Sequence, residues 1–451
     1  MVFEEPIAAL ATPPGQGGIA IIRVSGEGAE DILKKVFRPA GKKYPLPSHL
    51  MVYGHIFRGN ETLDECMAVV MRSPRSYTRE DVCEIHIHGG SIIAGDALDA
   101  VLAAGARLAQ PGEFTRRAFC NGRVDLSRAE AVMGMITASS HRAARAAARQ
   151  LEGGVSAFIG KARQDLTAML AGLEAAVDYP EEVDEEEATR DLRAGIDALA
   201  AALDGAVNER GARVTRTGLE VVLCGCPNVG KSSLMNALLG EDKAIVTSVP
   251  GTTRDILTGS MELDGFAVNL KDTAGLHESA DEVESIGIAR ARKAVFSADL
   301  VLLLIDGSRP VTDEDRELID QTAACPRMAV LTKSDLPALV TREELAALCG
   351  DSTVLSVSSG TGAGLDALKN ELAGRAAAAG ESVLTLSRQL DAARRAAASL
   401  RAAGSAIDAG MPLDMAAIDL HTAMDALCEI TGENSTESLL DDVFSRFCVG
   451  K

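Results

Sequence analysis

The chain has 451 residues, 47% apolar and 24% charged, enough for about three domains at roughly 150 residues each. Its 45 Lys and Arg against 65 Asp and Glu give a formal net charge of −20, which excludes a generic nucleic-acid coat; contact with a polyanion needs a local basic patch or a partner. No apolar stretch nears the ~18 residues of a membrane-spanning helix, so no membrane association is expected.

The nine cysteines show no C-x-x-C spacing, against a disulfide framework or zinc ribbon. The first 22 residues hold no Lys or Arg and carry Glu4 and Glu5, so no secretory or transit segment is read and a cytoplasmic location is expected. From Ile7 to about Phe119, β-like runs such as Gly18 to Val24 and Val82 to His88 alternate with Gly and Pro, predicting an α+β domain over 1–119. His86 and His88 share one strand face without a third ligand at metal spacing and are read as structural.

Residues 120–216 are Ala-rich and helical. Ser127-Arg128-Ala129-Glu130 reads as a capping box, and with no Pro or paired Gly before Gly153-Gly154 one helix of roughly 25 residues, about 37 Å long, is predicted. On it Arg142, Arg145 and Arg149 share a face open to phosphates or to water. Asp178 to Glu187 holds seven acids and no base, a solvated loop or helix start. Over 217–375 the apolar runs Glu220 to Leu223, Val268 to Leu270, Leu300 to Ile305, Met328 to Leu331 and Val354 to Val357 alternate with helix-length segments, the rhythm of a parallel sheet covered on both faces. Helical texture returns over 376–451. The fold class is therefore multidomain α/β plus all-α, with a helical bundle interrupted by an inserted P-loop domain.

Gly225-Cys226-Pro227-Asn228-Val229-Gly230-Lys231-Ser232 follows a strand and opens a helix, as a phosphate loop requires. Its N–H groups, from Asn228 to Ser233, wrap phosphates; Lys231 reaches the β and γ oxygens and Ser232 ligates Mg²⁺. Asp272-Thr273-Ala274-Gly275 ends the next apolar strand, where a carboxylate holds the metal through water and a glycine N–H meets the γ-phosphate. Thr332-Lys333-Ser334-Asp335 resembles the N-K-x-D element of GTPases, Asp335 accepting from guanine and Lys333 covering the ring. Thr replaces Asn there, which puts the usual tie to the purine and to the phosphate loop in question. Ser358-Ser359-Gly360 fits the loop whose backbone meets guanine O6. Residues 217–375 thus resemble an Era-like, Ras-type GTPase, with ATP as the alternative substrate.

Leu276 stands where Ras-type enzymes place a water-orienting Gln. Asn228 together with Thr247-Ser248-Val249-Pro250-Gly251-Thr252-Thr253-Arg254-Asp255 matches the switch of GTPases that use K⁺ in place of an arginine finger. That likeness implies K⁺ on Asn228, Thr247, Val249 and Thr252, and Mg²⁺ on Ser232 and Thr253. Glu284 is the candidate for positioning water.

Further elements make the likeness more specific: Ala11 to Arg23, Ser76-Tyr77-Thr78-Arg79-Glu80-Asp81, His88-Gly89-Gly90, Pro111-Gly112-Glu113-Phe114-Thr115 and Phe447-Cys448-Val449-Gly450-Lys451. Across essentially its whole length the chain resembles the MnmE family, also called TrmE, bacterial GTPases of tRNA wobble-uridine modification. The resemblance implies an N-terminal domain that dimerises and binds a tetrahydrofolate derivative, in the 5-formyl or methylene form, through Arg23, Glu80, Arg123 and Lys451. It also implies a heterotetramer with the FAD-bearing MnmG, acting on tRNA. Arg123 stands where the family often has Lys. From residue type alone Arg23 is expected to be a surface cation. Cys448 sits four from the end, but Lys451 and Gly450 make a poor prenylation signal; the thiol is read either as part of the modification chemistry or as buried and inert. Rival readings are a ribosome-assembly or RNA-binding switch GTPase and a folate-regulated signalling switch, neither acting on the nucleoside.

Overall fold

The computed structural model describes residues 5–41, 43–179, 181, 184–240, 258–272, 295–350 and 353–451. The chain forms two compact units, Met1–Met133 with Gln150–Leu199 and Arg395–Lys451, and Gly134–Arg149 with Ala200–Arg394.

The first unit carries a seven-stranded sheet: β1 (Ile7–Leu10), β2 (Ile19–Ser25), β3 (Phe37–Pro39), β4 (Val52–Arg58), β5 (Glu61–Met71), β6 (Val82–His88) and β7 (Arg107–Leu108), in the order β3-β4-β5-β6-β2-β1-β7. Strand period decides its faces: Cys83, Ile85 and Ile87 are buried while Glu84, His86 and His88 stand opposite. Helices Ala29–Val36 and Ser91–Ala103 cover the apolar face. The last helix, Glu437–Ser445, packs on Glu113–Cys120 of the same chain, with Phe444 and Phe447 joining Leu126 in one buried cluster.

The sequence-predicted single helix is two. Leu126–Thr137 begins after Asp125, whose carboxylate accepts from Arg128 N at 3.0 Å and from Ser127 Oγ at 2.6 Å. Asp125, not Ser127, is the cap. His141–Glu152 follows, capped by Ser140, which accepts from Ala143 N at 3.2 Å. Because a serine hydroxyl satisfies an orphan N–H at a new start, Ser140 allows the chain to restart where an Ala-rich pattern suggested continuity. The acidic run leads into Glu185–Ala206, Asp184 accepting from Glu186 N and Glu187 N.

The second unit holds β8 (Leu219–Cys224), β9 (Thr258–Leu263), β10 (Phe266–Asp272), β11 (Leu300–Asp306), β12 (Arg327–Thr332) and β13 (Val354–Ser356), ordered β13-β12-β11-β8-β10-β9. All neighbours are parallel except β9 with β10, so the expected parallel sheet carries an antiparallel edge strand that the apolar runs did not reveal. β11 is buried throughout. Leu302 and Leu304 face a cluster with Leu234 and Leu368, while Leu303 and Ile305 face Ile319 and Leu345. A central parallel strand is covered on both sides and reads as an unbroken apolar run, each such side chain contributing about 1.5–3 kcal/mol.

Candidate functional site

The C-terminal ends of β8, β10, β11 and β12 gather the nucleotide-binding candidates, as open α/β sheets do. β8 leads through the phosphate loop into helix Lys231–Gly240. A side chain at Gly225 would strike Leu304 O at 2.7 Å, so glycine is needed for the strand-to-loop turn. Asn228 is held in the left-handed region at φ 59, an arrangement that asparagine tolerates. The buried Lys231 donates to Gly225 O at 2.8 Å and Cys226 O at 3.0 Å. Its ammonium thus lies over the loop that would enclose phosphates. Ser232 Oγ donates to Asp272 Oδ2 at 2.8 Å. Two hard oxygen donors, one from a buried carboxylate, suit Mg²⁺.

On the base side, Thr332 Oγ1 donates to Val229 O at 2.7 Å. The tie to the phosphate loop that the Asn-to-Thr difference put in question is therefore present, made by a hydroxyl. Lys333, with φ 58, pairs with Asp306. Asp335 accepts from Ser358 Oγ at 2.6 Å, a bond that holds its carboxyl below the usual range and ionised. Ser358 is fully buried and also accepts from Thr361 N, so it fixes the acid while Ser359 and Gly360 form the adjoining turn. Of the other candidates, Ser233 lies in the first turn of the P-loop helix. Thr247, Ser248, Val249, Pro250, Gly251, Thr252, Thr253, Thr273, Ala274, Gly275 and Glu284 lie outside the described residues.

A second cluster joins the two ends of the chain. Arg23 is half-buried rather than a free surface cation: its Nε donates to Glu84 at 2.9 Å and its NH1 to Gly450 O at 3.4 Å. The guanidinium lies 5.4 Å from the Tyr77 ring centre, and that of Arg123 lies 4.7 Å from the same ring while donating to Tyr77 O. Glu80 accepts from Ser25 and from the fully buried Arg117, which also binds Glu113. Gly450, at φ 96, lets the tail pass Leu10, whose carbonyl would lie 2.4 Å from any added Cβ. Cys448 is exposed, its carbonyl accepting from Gly112 N and Lys451 N; the thiol is not buried.

His86 pairs with Glu84 and His88 with Asp64. Arg142 and Arg149 both reach Glu381, and Arg142 also stacks on Phe266, while Arg145 faces solvent. Sequence reasoning missed Asp306, Glu84 and Arg117, and gave Tyr77 no role. Asp306 directly follows the Leu300 to Ile305 run, so its place at a strand end was the available signal.

Fold and site define a P-loop GTPase. Residues 6–123 match the family described as GTP-binding protein TrmE N-terminus, and residues 126–448 match the MnmE helical domain. Curated relatives, each named tRNA modification GTPase MnmE, include that of Moorella thermoacetica, 46% identical over 470 residues and 100% of both chains. That of Symbiobacterium thermophilum is 46% identical over 459 residues, covering 99% of this chain and 100% of the relative. That of Lactiplantibacillus plantarum is 42% identical over 458 residues, covering 99% and 98%. The chain belongs to the MnmE (TrmE) family of tRNA modification GTPases and hydrolyses GTP. Among the described residues no helix is long and apolar enough to cross a membrane.

Proposed function

We propose that this GTPase works in the cytoplasm as a homodimer with MnmG, in a heterotetramer that installs an aminomethyl or carboxymethylaminomethyl group on C5 of the wobble uridine, U34, of tRNA. The functional divisions are an N-terminal folate and dimerisation region over 1–119, helical parts over 120–216 and 376–451, and the GTPase domain over 217–375. The observation that carries the reading is the return of the C-terminal tail to Arg23, which joins family elements from opposite chain ends beside one aromatic ring.

At the nucleotide site, Lys231 would stabilise charge on the phosphates, Ser232 and Asp272 would hold Mg²⁺ with Thr253, and Lys333 and Asp335 would take the guanine on a loop that Thr332 ties to the phosphate loop. Asn228 would contribute an amide oxygen to K⁺, with Thr247, Val249 and Thr252, and Glu284 would position the water. At the second cluster, Arg23, Arg123 and Lys451 match the anionic tail of a folate, and Glu80, held by Ser25 and Arg117, matches a pterin edge. A folate held there would supply the one-carbon unit and FAD on MnmG the redox chemistry, and Cys448 is exposed on the tail that returns to Arg23. Nucleoside analysis of tRNA incubated with the full chain, MnmG, GTP, a methylene-folate and an amine donor, ammonium for the aminomethyl or glycine for the carboxymethylaminomethyl group, tests the proposal. Modified U34 is expected only when all are present; its formation without this chain would overturn the reading.

A further inference from the structure

β11 is hydrogen-bonded between β8, which leads into the phosphate loop, and β12, which ends at Thr332. Its last residue, Asp306, therefore lies between the two nucleotide loops. Asp306 is 5% exposed and accepts from Lys333 Nζ at 2.6 Å, Ser308 Oγ at 2.6 Å and Ser308 N at 3.0 Å. Burial works against its ionisation, but Lys333 and Ser308 outweigh that and hold the carboxyl below its ordinary value.

The segment after Asp306 is bonded to both loops. Gly307 N donates to Thr332 O at 3.1 Å and Leu339 N to Gly307 O at 2.8 Å. Arg309 and Thr312 hold Asp315, which is fully buried and accepts from the Cys226 thiol of the phosphate loop at 3.1 Å. Burial again opposes ionisation of Asp315, yet Arg309, Thr312 and Cys226 bring it down to about 2. One segment, 306–315, thus grips the base loop at one end and the phosphate loop at the other.

We infer that Asp306 is a positioning residue for the base-covering lysine, and that segment 306–315 sets the spacing between the base loop and the phosphate loop. The inference rests on reading Lys333 and Asp335 as the guanine loop. A free lysine stem samples many rotamers, and a buried carboxylate that fixes its ammonium removes that freedom before a nucleotide arrives. Because Lys333 meets a ring face, the contribution of Asp306 is indifferent to exocyclic groups. Asp335 reads the ring edge instead.

The test uses the full chain, measuring release of fluorescent guanosine and inosine diphosphates together with KM and kcat for GTP. Asp306→Asn should speed release about tenfold for both nucleotides and raise KM in proportion, with kcat within about twofold. In a Lys333→Met background the same change should add nothing. Cys226→Ala should speed release about threefold, and Cys226→Ser, which keeps a donor, should restore it. Unchanged release in Asp306→Asn, an effect confined to guanine, or effects of Asp306→Asn and Lys333→Met that multiply would each overturn the inference. If Asp306→Asn does not fold, Asp306→Glu, which keeps the charge but displaces it by one methylene, is judged by the same criteria. Asp335→Asn separates the two readings: if it leaves guanosine diphosphate release untouched while Asp306→Asn does not, the guanine assignment fails and the positioning role stands.

Discussion

The nucleotide pocket and the Tyr77 cluster both place cations against electron-rich groups, but they are assembled in opposite ways. In the pocket each contribution comes from a short loop at a strand end, so Lys231 contacts carbonyls only five and six residues before it. In the cluster Arg23 meets Gly450 across 427 residues of sequence, where the packed last helix, Glu437–Ser445, the close passage of Gly450 and the buried Arg117 network all lie in one unit. The first kind of site survives as a motif because its geometry is local. The second depends on the fold of a whole unit and should be more easily lost to changes distant from it.

The largest effect expected to sharpen that contrast is at Lys231. Lys231→Ala should lower kcat/KM for GTP by about 1,000-fold with little change in thermal midpoint, since a phosphate-facing charge acts on transition-state binding. A loss below about tenfold, read from steady-state hydrolysis, would show that the ammonium belongs to the loop's own structure. Next, Asp335→Asn should weaken GTP about 100-fold and admit xanthosine triphosphate, because a carboxamide donates where xanthine accepts. Competition binding with both nucleotides decides it, and retained GTP preference would count against the assignment.

Cys448→Ser, or removal of Gly450 and Lys451, should cut wobble-uridine modification about tenfold or more while GTP hydrolysis stays within about twofold. Parallel loss of both activities on one preparation would break the separation of the two sites. Hydrolysis in K⁺ should exceed that in Na⁺ severalfold at equal ionic strength, and Asn228→Ala should abolish the difference. Asn228→Gly belongs beside it as the control for backbone conformation, since residue 228 has a positive φ. Equal rates of the unaltered chain in both salts would remove K⁺ from the mechanism.

The smallest effect concerns pH. Hydrogen bonding to His86 first, with Arg23 beside it, outweighs burial and lowers the Glu84 carboxyl below 4.5. A depressed folded-state value means that the stabilisation is complete above about 4.5 and fades as pH falls through the folded value. Acid unfolding followed by a probe in the first unit should therefore shift slightly, and Glu84→Gln should flatten that part of the curve. An unchanged acid profile would mean that the pairing of Glu84 with His86 and Arg23 adds nothing to stability.

Much of the fold was legible because periodicity is a local property: Val82–His88 is recovered with its ends, and every apolar run named over 217–375 lies on or beside a strand. The edge strand Thr258–Leu263 was not legible, since a strand that pairs on one side needs no continuous apolar run. The helix break at Ser140 was visible only as the pair Ser139-Ser140 in an Ala-rich stretch, and the capping role of Ser140 depends on the chain turning there.

The sequence by itself determined the phosphate loop, the acid at Asp335 and the strands that carry them, because these features lie within a few residues of a strand end. Only the tertiary structure decided that Thr332 can keep the phosphate loop tied to the base loop, that Asp306 anchors Lys333, and that Arg23 and Arg123 both approach the Tyr77 ring. Each of those pairings joins separate elements. Its strength depends on distance and burial, which follow from how strands are ordered and helices return, and a linear pattern of residue types does not encode them.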